Sequence, residues 1–144
     1  MAGMFHELVD DPGERTLTEI HDRYRAALAA AIEERGIEAA AAETEVDRSK
    51  LHALSDGELP ELTLEEGAAI LALSEDAPDA ETIAMIARDE LLMGMTVAVL
   101  DVEAVESGID GALEAREIQS KIEGRYPMTL REFALLHGYI AGSK

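Results

Sequence analysis

Apolar residues recur at three- and four-residue steps along most of the chain, the spacing of one face of an α-helix. Leu17, Ile20, Tyr24, Leu28, Ala31 and Ile32 make the first such stripe. Thr16 followed by Glu19 is a capping box and Gly36 is a stop, so a helix is predicted between them. A short Ala-rich helix is expected over about Glu38 to Glu45. Asp47 can cap the next one, Arg48 to Ser55. Its Leu51 and Leu54 face inward and Arg48, Lys50 and His52 outward. Asp56-Gly57 ends it and Pro60 bends the chain. Thr63 with Glu66 is a second capping box, opening a helix that carries Leu64, Ala68, Ile70, Leu71 and Leu73. Ser74 to Asp79 reads as a polar linker.

From Ala80 the pattern changes. Ile83, Met85, Ile86, Leu91, Leu92, Met93, Met95, Val97, Val99 and Leu100 leave little polar face. A helix apolar nearly all round is expected to be buried on several sides. Gly94 in its middle fits a close crossing by another helix. Val97 and Val99 also suit a strand, but the flanking segments are helical and no partner strand is visible. Val102 to Glu106 is a short helix stopped by Ser107-Gly108. Leu113 to Glu123 follows with Ile118 and Ile122 inward, and Gly124 and Pro127 end it. Thr129 with Glu132 is a third capping box, opening a last helix through Phe133, Leu136, Tyr139 and Ile140. Before all of these, Met1 to Arg15 is an arm anchored by Phe5, Leu8 and Val9.

The two halves echo each other. Val46 to Gly57 and Leu113 to Gly124 have the same length. Gly57-Glu58-Leu59-Pro60 matches Gly124-Arg125-Tyr126-Pro127, and Thr63-Leu64-Glu65-Glu66 matches Thr129-Leu130-Arg131-Glu132. Two copies of a four-helix unit would account for this. The expected architecture is an all-α helical bundle: an arm over 1–15, one four-helix unit over 16–76, and a second over 80–141 around the apolar helix 80–100.

Composition narrows the class. The 144 residues are 47% hydrophobic but only 3% aromatic, so the core is expected to be Ala, Leu, Ile, Val and Met. There is no cysteine, which removes disulfides and thiolate zinc sites. The longest apolar run, Leu91 to Leu100, is about half of the ~20 residues that a membrane span needs. With no signal peptide visible, a soluble cytoplasmic protein is expected, with no membrane partner. Thirty-one acids against 12 bases give a net charge of −19. Scarce lysine, acid excess and small apolar residues suit a halophile, where salt screens self-repulsion. The alternative is an acidic protein that avoids nucleic acid.

Two resemblances bear on function. Val46 to Gly57 resembles the recognition helix of repressor-type helix-turn-helix domains, the Cro and lambda-repressor class, and Leu28 to Leu73 would span that unit. It implies a DNA reader. Glu38 and Ala39 stand where that class has its phosphate-positioning glutamine, and Glu58, Glu61, Glu65 and Glu66 crowd the turn that would face phosphates. The chain also resembles, end to end, a family of short, acidic, uncharacterised proteins of halophilic archaea, through LLMGMTVAVLDVE and IEGRYPMTLREFA. That likeness implies a source and no activity.

The chemistry-bearing residues point away from catalysis. His6, His21, His52 and His137 have no metal-ligand spacing, and no nucleophile–base or Gly-rich phosphate motif is present. No catalytic, cofactor-binding or metal site is assigned, and the protein is expected not to be an enzyme. The bases are more informative. Arg48 to Ser55 holds Arg48 and Lys50 and no acid; Ala115 to Arg131 holds Arg116, Lys121, Arg125 and Arg131 against Glu117 and Glu123. Arginine and lysine supply phosphate and guanine contacts. Arg48, Lys50, His52, Arg116, Lys121 and Arg125 are therefore the candidate contacts to double-stranded DNA. The alternative is a degenerate helix-turn-helix used as a scaffold for protein interaction. In either case the apolar excess over Ile83, Leu91, Leu92, Met95 and Val99 makes that helix the candidate interface of a homodimer.

Overall fold

The computed structural model describes residues 4–144, so three residues of the expected arm lie outside the described residues. Among the described residues the chain forms eight α-helices: α1 Leu17–Arg35, α2 Ile37–Thr44, α3 Arg48–Ser55, α4 Leu64–Leu71, α5 Ala80–Ala98, α6 Val102–Gly108, α7 Ala115–Ile122 and α8 Leu130–Gly142. Two 3-10 turns, Phe5–Glu7 and Pro12–Glu14, precede them. The protein is all-α, and Leu91 to Leu100 is helical up to Ala98 rather than a strand.

The starts of the helices are chemically specified. At Thr16, Thr63 and Thr129 the hydroxyl accepts from the backbone N–H of the glutamate three residues on, at 3.0–3.1 Å. Each glutamate returns the bond, accepting from the threonine N–H at 2.9–3.0 Å. Such reciprocal caps satisfy donors that a helix start otherwise leaves open. Asp79 and Asp101 cap α5 and α6 through single bonds of 2.8 Å. Asp47 does not cap α3 with its side chain as the spacing suggests. Only its carbonyl serves, taking the amides of Lys50 and Leu51. The predicted Leu113 start of α7 is also displaced: Leu113 is buried but lies outside the helix.

The two halves repeat in space. Thr63 and Thr129 face each other in a one-rung antiparallel bridge, with Leu64 N–H on Met128 O at 2.6 Å and Leu130 N–H on Leu62 O at 2.9 Å. Helices α3 and α7 end alike: Gly57 and Gly124 take φ of 95° and 81°, which glycine adopts without strain. The next amides, of Glu58 and Arg125, each return 2.9 Å to Ala53 O and Ser120 O. Leu62, Leu64, Ala68 and Ile70 are buried, and so are Met128, Leu130, Ala134 and Leu136. The long helices correspond too. Ile20, Tyr24 and Leu28 of α1 are buried, and so are the residues 67 positions on, Ala87, Leu91 and Met95 of α5 (20 to 87, 24 to 91, 28 to 95). Each long helix packs on both α4 and α8, so the four make the centre of the molecule.

That centre is aromatic, contrary to the expectation from composition. The rings of Phe5, Tyr24 and Phe133 lie within 5.5–6.3 Å of one another, and all three are fully buried. The few aromatics are concentrated where their large area counts most. Phe5 comes from the arm, so the segment expected to be peripheral is anchored in the middle of the core. Leu17, expected on the buried face of α1, is instead 42% exposed. Gly94 sits where α8 crosses α5: a Cβ there would stand 2.7 Å from Ile140 Cγ2. Its flexibility cost is offset by that close approach.

Candidate functional site

The candidate DNA contacts are distributed by the fold into quite different roles. Helices α2 and α3 are joined by a three-residue turn and pack on each other, with Ala40, Val46 and Leu51 buried. Glu45 in the turn takes φ 59°, ψ 17°, the left-handed conformation. Helix α3 packs on α1 and α2 and turns Arg48, Ser49 and His52 to solvent. Arg48 does not stand free: its guanidinium is 2.7 Å from the Glu38 carboxylate on α2. Lys50 is tied to Glu66, at 3.5 Å, with both side chains about one-third exposed. The local +2 of α3 is therefore cancelled by two acids distant in sequence.

The second basic island is cancelled in part: Lys121 and Arg125 are in ion pairs, and Arg116 and Arg131 are in none among the described residues. Lys121 Nζ lies 2.6 Å from Glu132 Oε2, and the two side chains are only 15% and 22% exposed. Lys121 thus bridges α7 and α8 within the chain. Glu132 also caps α8, so the ion pair and the capping box share one carboxylate. Arg125 pairs with Glu123, and that hydrogen bond, with one from Gln119, holds the Glu123 carboxyl below its ordinary range. Arg131 reaches back to the Leu59 carbonyl and His21 Nδ1. Arg88, not singled out by sequence reasoning, binds the Lys121 carbonyl at 2.9 Å and Glu65 at 2.8 Å, and is 12% exposed. Of the second group Arg116 and Arg131 are exposed and outside any ion pair among the described residues, and Arg131 is held by the Leu59 carbonyl and His21. Lys121→Ala should therefore cost about 2–3 kcal/mol of stability, somewhat below a fully buried pair because of the residual exposure. Urea unfolding measures it; a loss below about 0.5 kcal/mol would return Lys121 to the surface role.

The expected dimer residues divide cleanly. Ile83, Leu91 and Met95 are buried inside the chain, at 0%, 0% and 7% exposure, and are not available to a second copy. They face α4 and α8 because both halves of the core close on that side of α5. The opposite side of the helix is open. Met85, Leu92, Met93 and Val97 are 46–66% exposed there, and Val99 at the C-cap is 89% exposed. Only two other large apolar side chains, Leu17 and Tyr126, are comparably exposed among the described residues. Helix α5 is thus not buried all round but amphipathic in an unusual sense: one apolar face is in the core and another in solvent.

Val99 is also conformationally out of place. It holds φ 57°, ψ 51° at a helix end where glycine or asparagine normally stands. For an L-residue this costs about 1–2 kcal/mol. Beside it, Met95, Thr96, Leu100, Asp101 and Ala104 line an open hollow of about 460 Å³.

Among the described residues no three His, Asp or Glu side chains converge as metal ligands. His137 is buried and stacked on Phe133, with ring centroids 5.3 Å apart. Burial, opposed by Glu90 and reinforced by His6 and Lys144, lowers its pKa to about 4. His21 is also held below its ordinary value, by burial and the Arg131 guanidinium. No described helix is long and apolar enough to cross a membrane.

Neither the curated proteins nor the solved structures contain a significant match to the chain. The chain nonetheless has a sequence counterpart that takes in most of α1 and all of α2 to α8. Residues 20–143 match the profile of a family of unknown function (DUF5791), and the chain belongs to that family.

Proposed function

We propose that the protein is a non-enzymatic interaction module, built on a helix-turn-helix scaffold, whose working surface is the outer face of α5. One observation carries this reading: five large apolar side chains, Met85, Leu92, Met93, Val97 and Val99, are exposed along a single helix of a chain whose surface is otherwise acidic. Scattered exposed apolar residues need no explanation, but Leu92, Met93, Val97 and Val99 form a set without a charge among them, and such a set marks a contact surface; exposed Asp89 separates Met85 from it. Between Leu91 and Leu100 there is no charged residue at all, in a chain that is 30% charged. The test is site-specific photo-crosslinking from Val97 in cells that make the protein. A discrete protein adduct is expected, and its absence at every exposed α5 position would overturn the reading.

A second reading keeps the scaffold as a DNA reader. Its support is the α2–turn–α3 unit itself. Two eight-residue helices joined by three residues, with a left-handed residue in the turn, suit a repressor-like recognition helix. The Arg48–Glu38 pair is exposed, and such pairs contribute only about 0–1 kcal/mol, so a phosphate could displace Glu38. Against it, α7 offers Arg116 alone, and the body carries −19. Selection of genomic fragments in molar KCl separates the two readings. The interaction module predicts no fragment enriched over an Arg48→Ala, Lys50→Ala control. Selective enrichment lost in that control would establish the DNA reading instead.

A further inference from the structure

We infer that the surface covering the outer face of α5 is a second copy of this chain, docked α5 against α5 about a two-fold axis. This rests on the interaction reading above and names its partner. The argument begins from an internal control. Helix α1 occupies in the first half the place that α5 occupies in the second, with Ile20, Tyr24 and Leu28 buried where Ala87, Leu91 and Met95 are buried. The outward positions correspond by the same step of 67: Thr18 to Met85, Arg25 to Leu92, Ala26 to Met93 and Ala30 to Val97. The fold is therefore compatible with threonine, arginine and alanine at these sites. At these four sites large apolar side chains are present on one copy only, so the core does not demand them; Val99 differs, because its counterpart Ile32 is buried.

Charge limits where a second copy can sit. With −19 on each molecule, most ways of bringing two copies together would oppose carboxylates. Along Leu91 to Leu100 two copies can meet without placing any charge against another. Shape agrees. At one end of the stripe Val99, 89% exposed, forms one wall of the hollow whose other lining residues are Met95, Thr96, Leu100, Asp101 and Ala104; Asp101, whose carboxylate caps α6, is its one charged residue. A two-fold interface is self-complementary, so an exposed side chain and a hollow on one surface can be exchanged between partners. The left-handed conformation of Val99, which nothing in the single chain covers, is accounted for if a partner covers it. One helix face is a small interface, so dissociation constants of about 20–200 µM are expected.

Sedimentation equilibrium over a concentration series tests this. The natural chain should pass from 15.5 kDa towards twice that mass, 2 × 15.5 = 31.0 kDa. A variant carrying the α1 residues on α5 (Met85→Thr, Leu92→Arg, Met93→Ala, Val97→Ala) should associate at least about 100-fold more weakly. Val99→Asn, which suits the left-handed cap and cannot be dismissed as misfolded, should also weaken association. A natural chain that stays at 15.5 kDa to about 500 µM would overturn the proposal. If its Val97 adducts were then to a different protein, the interaction reading would survive and only the identity of the partner would fall. If there were no adducts, both would fall. Association unchanged in both variants would also overturn it.

Discussion

Phe5→Ala should lower the free energy of unfolding by about 3–5 kcal/mol, as large a loss as for any core phenylalanine. The residue lies in a 3-10 turn ahead of the first α-helix. Here it is fully buried, with its ring centroid 5.5 Å from Tyr24 and 6.2 Å from Phe133. Gly67 of α4 comes so close that an added Cβ would stand 2.8 Å from Phe5 Cζ. The cavity left by alanine would be walled by rings and by α4, which cannot collapse into it without breaking the helix. Urea titration followed by circular dichroism measures the loss. A change below about 1 kcal/mol would mean that the arm only lies on the core.

Acid should weaken the fold through His137, and the size is set by burial. The imidazole is 7% exposed and stacked on Phe133, and its folded pKa is about 4. In the unfolded chain a histidine titrates near 6.5. Between those values the unfolded state binds the extra proton, so stability is full above about pH 6.5 and falls as the pH drops towards 4. The difference corresponds to about 3 kcal/mol at pH 4. His21, whose pKa is lowered for the same reason, adds in the same direction. His137→Leu should remove most of the slope between pH 6.5 and 4 and leave the part due to His21. An undiminished slope in that variant would assign the acid sensitivity elsewhere.

The ends of helices were the most legible part of the chain, because caps are local. The three Thr–Glu boxes and the Gly57 and Gly124 stops depend on residues within a few positions of one another. The partners of charged groups were not legible, because they are set by packing. Lys50 finds Glu66, Lys121 finds Glu132, and Arg88 finds Glu65, each across an angle between helices that spacing does not specify. The expectation for α5 failed for a related reason. Apolar residues on both sides of a helix do not say which side the core takes; its contacts with α4 and α8 decide that. A usable signal was present, since the repeat seen between Val46 to Gly57 and Leu113 to Gly124 extends backward at the same step of 67. It aligns Asp22 with Asp89 and Tyr24 with Leu91, and that register separates inner from outer residues of α5. The aromatic centre was hidden by composition alone, because a low aromatic fraction says nothing about where the few rings gather.

The central claim is that the outer face of α5 serves association and not the fold. Urea unfolding of the variant bearing Met85→Thr, Leu92→Arg, Met93→Ala and Val97→Ala, run at two protein concentrations, tests it most directly. Association adds stability by mass action only where the chain is concentrated enough to pair. At low micromolar concentration, where the natural chain is monomeric, the two should differ by no more than about 0.5 kcal/mol, as surface substitutions do. At several hundred micromolar the natural chain should be the more stable and the variant unchanged. A variant already destabilised by 2 kcal/mol or more at the low concentration, with no further change at the high one, would place the stripe in the core and contradict the account.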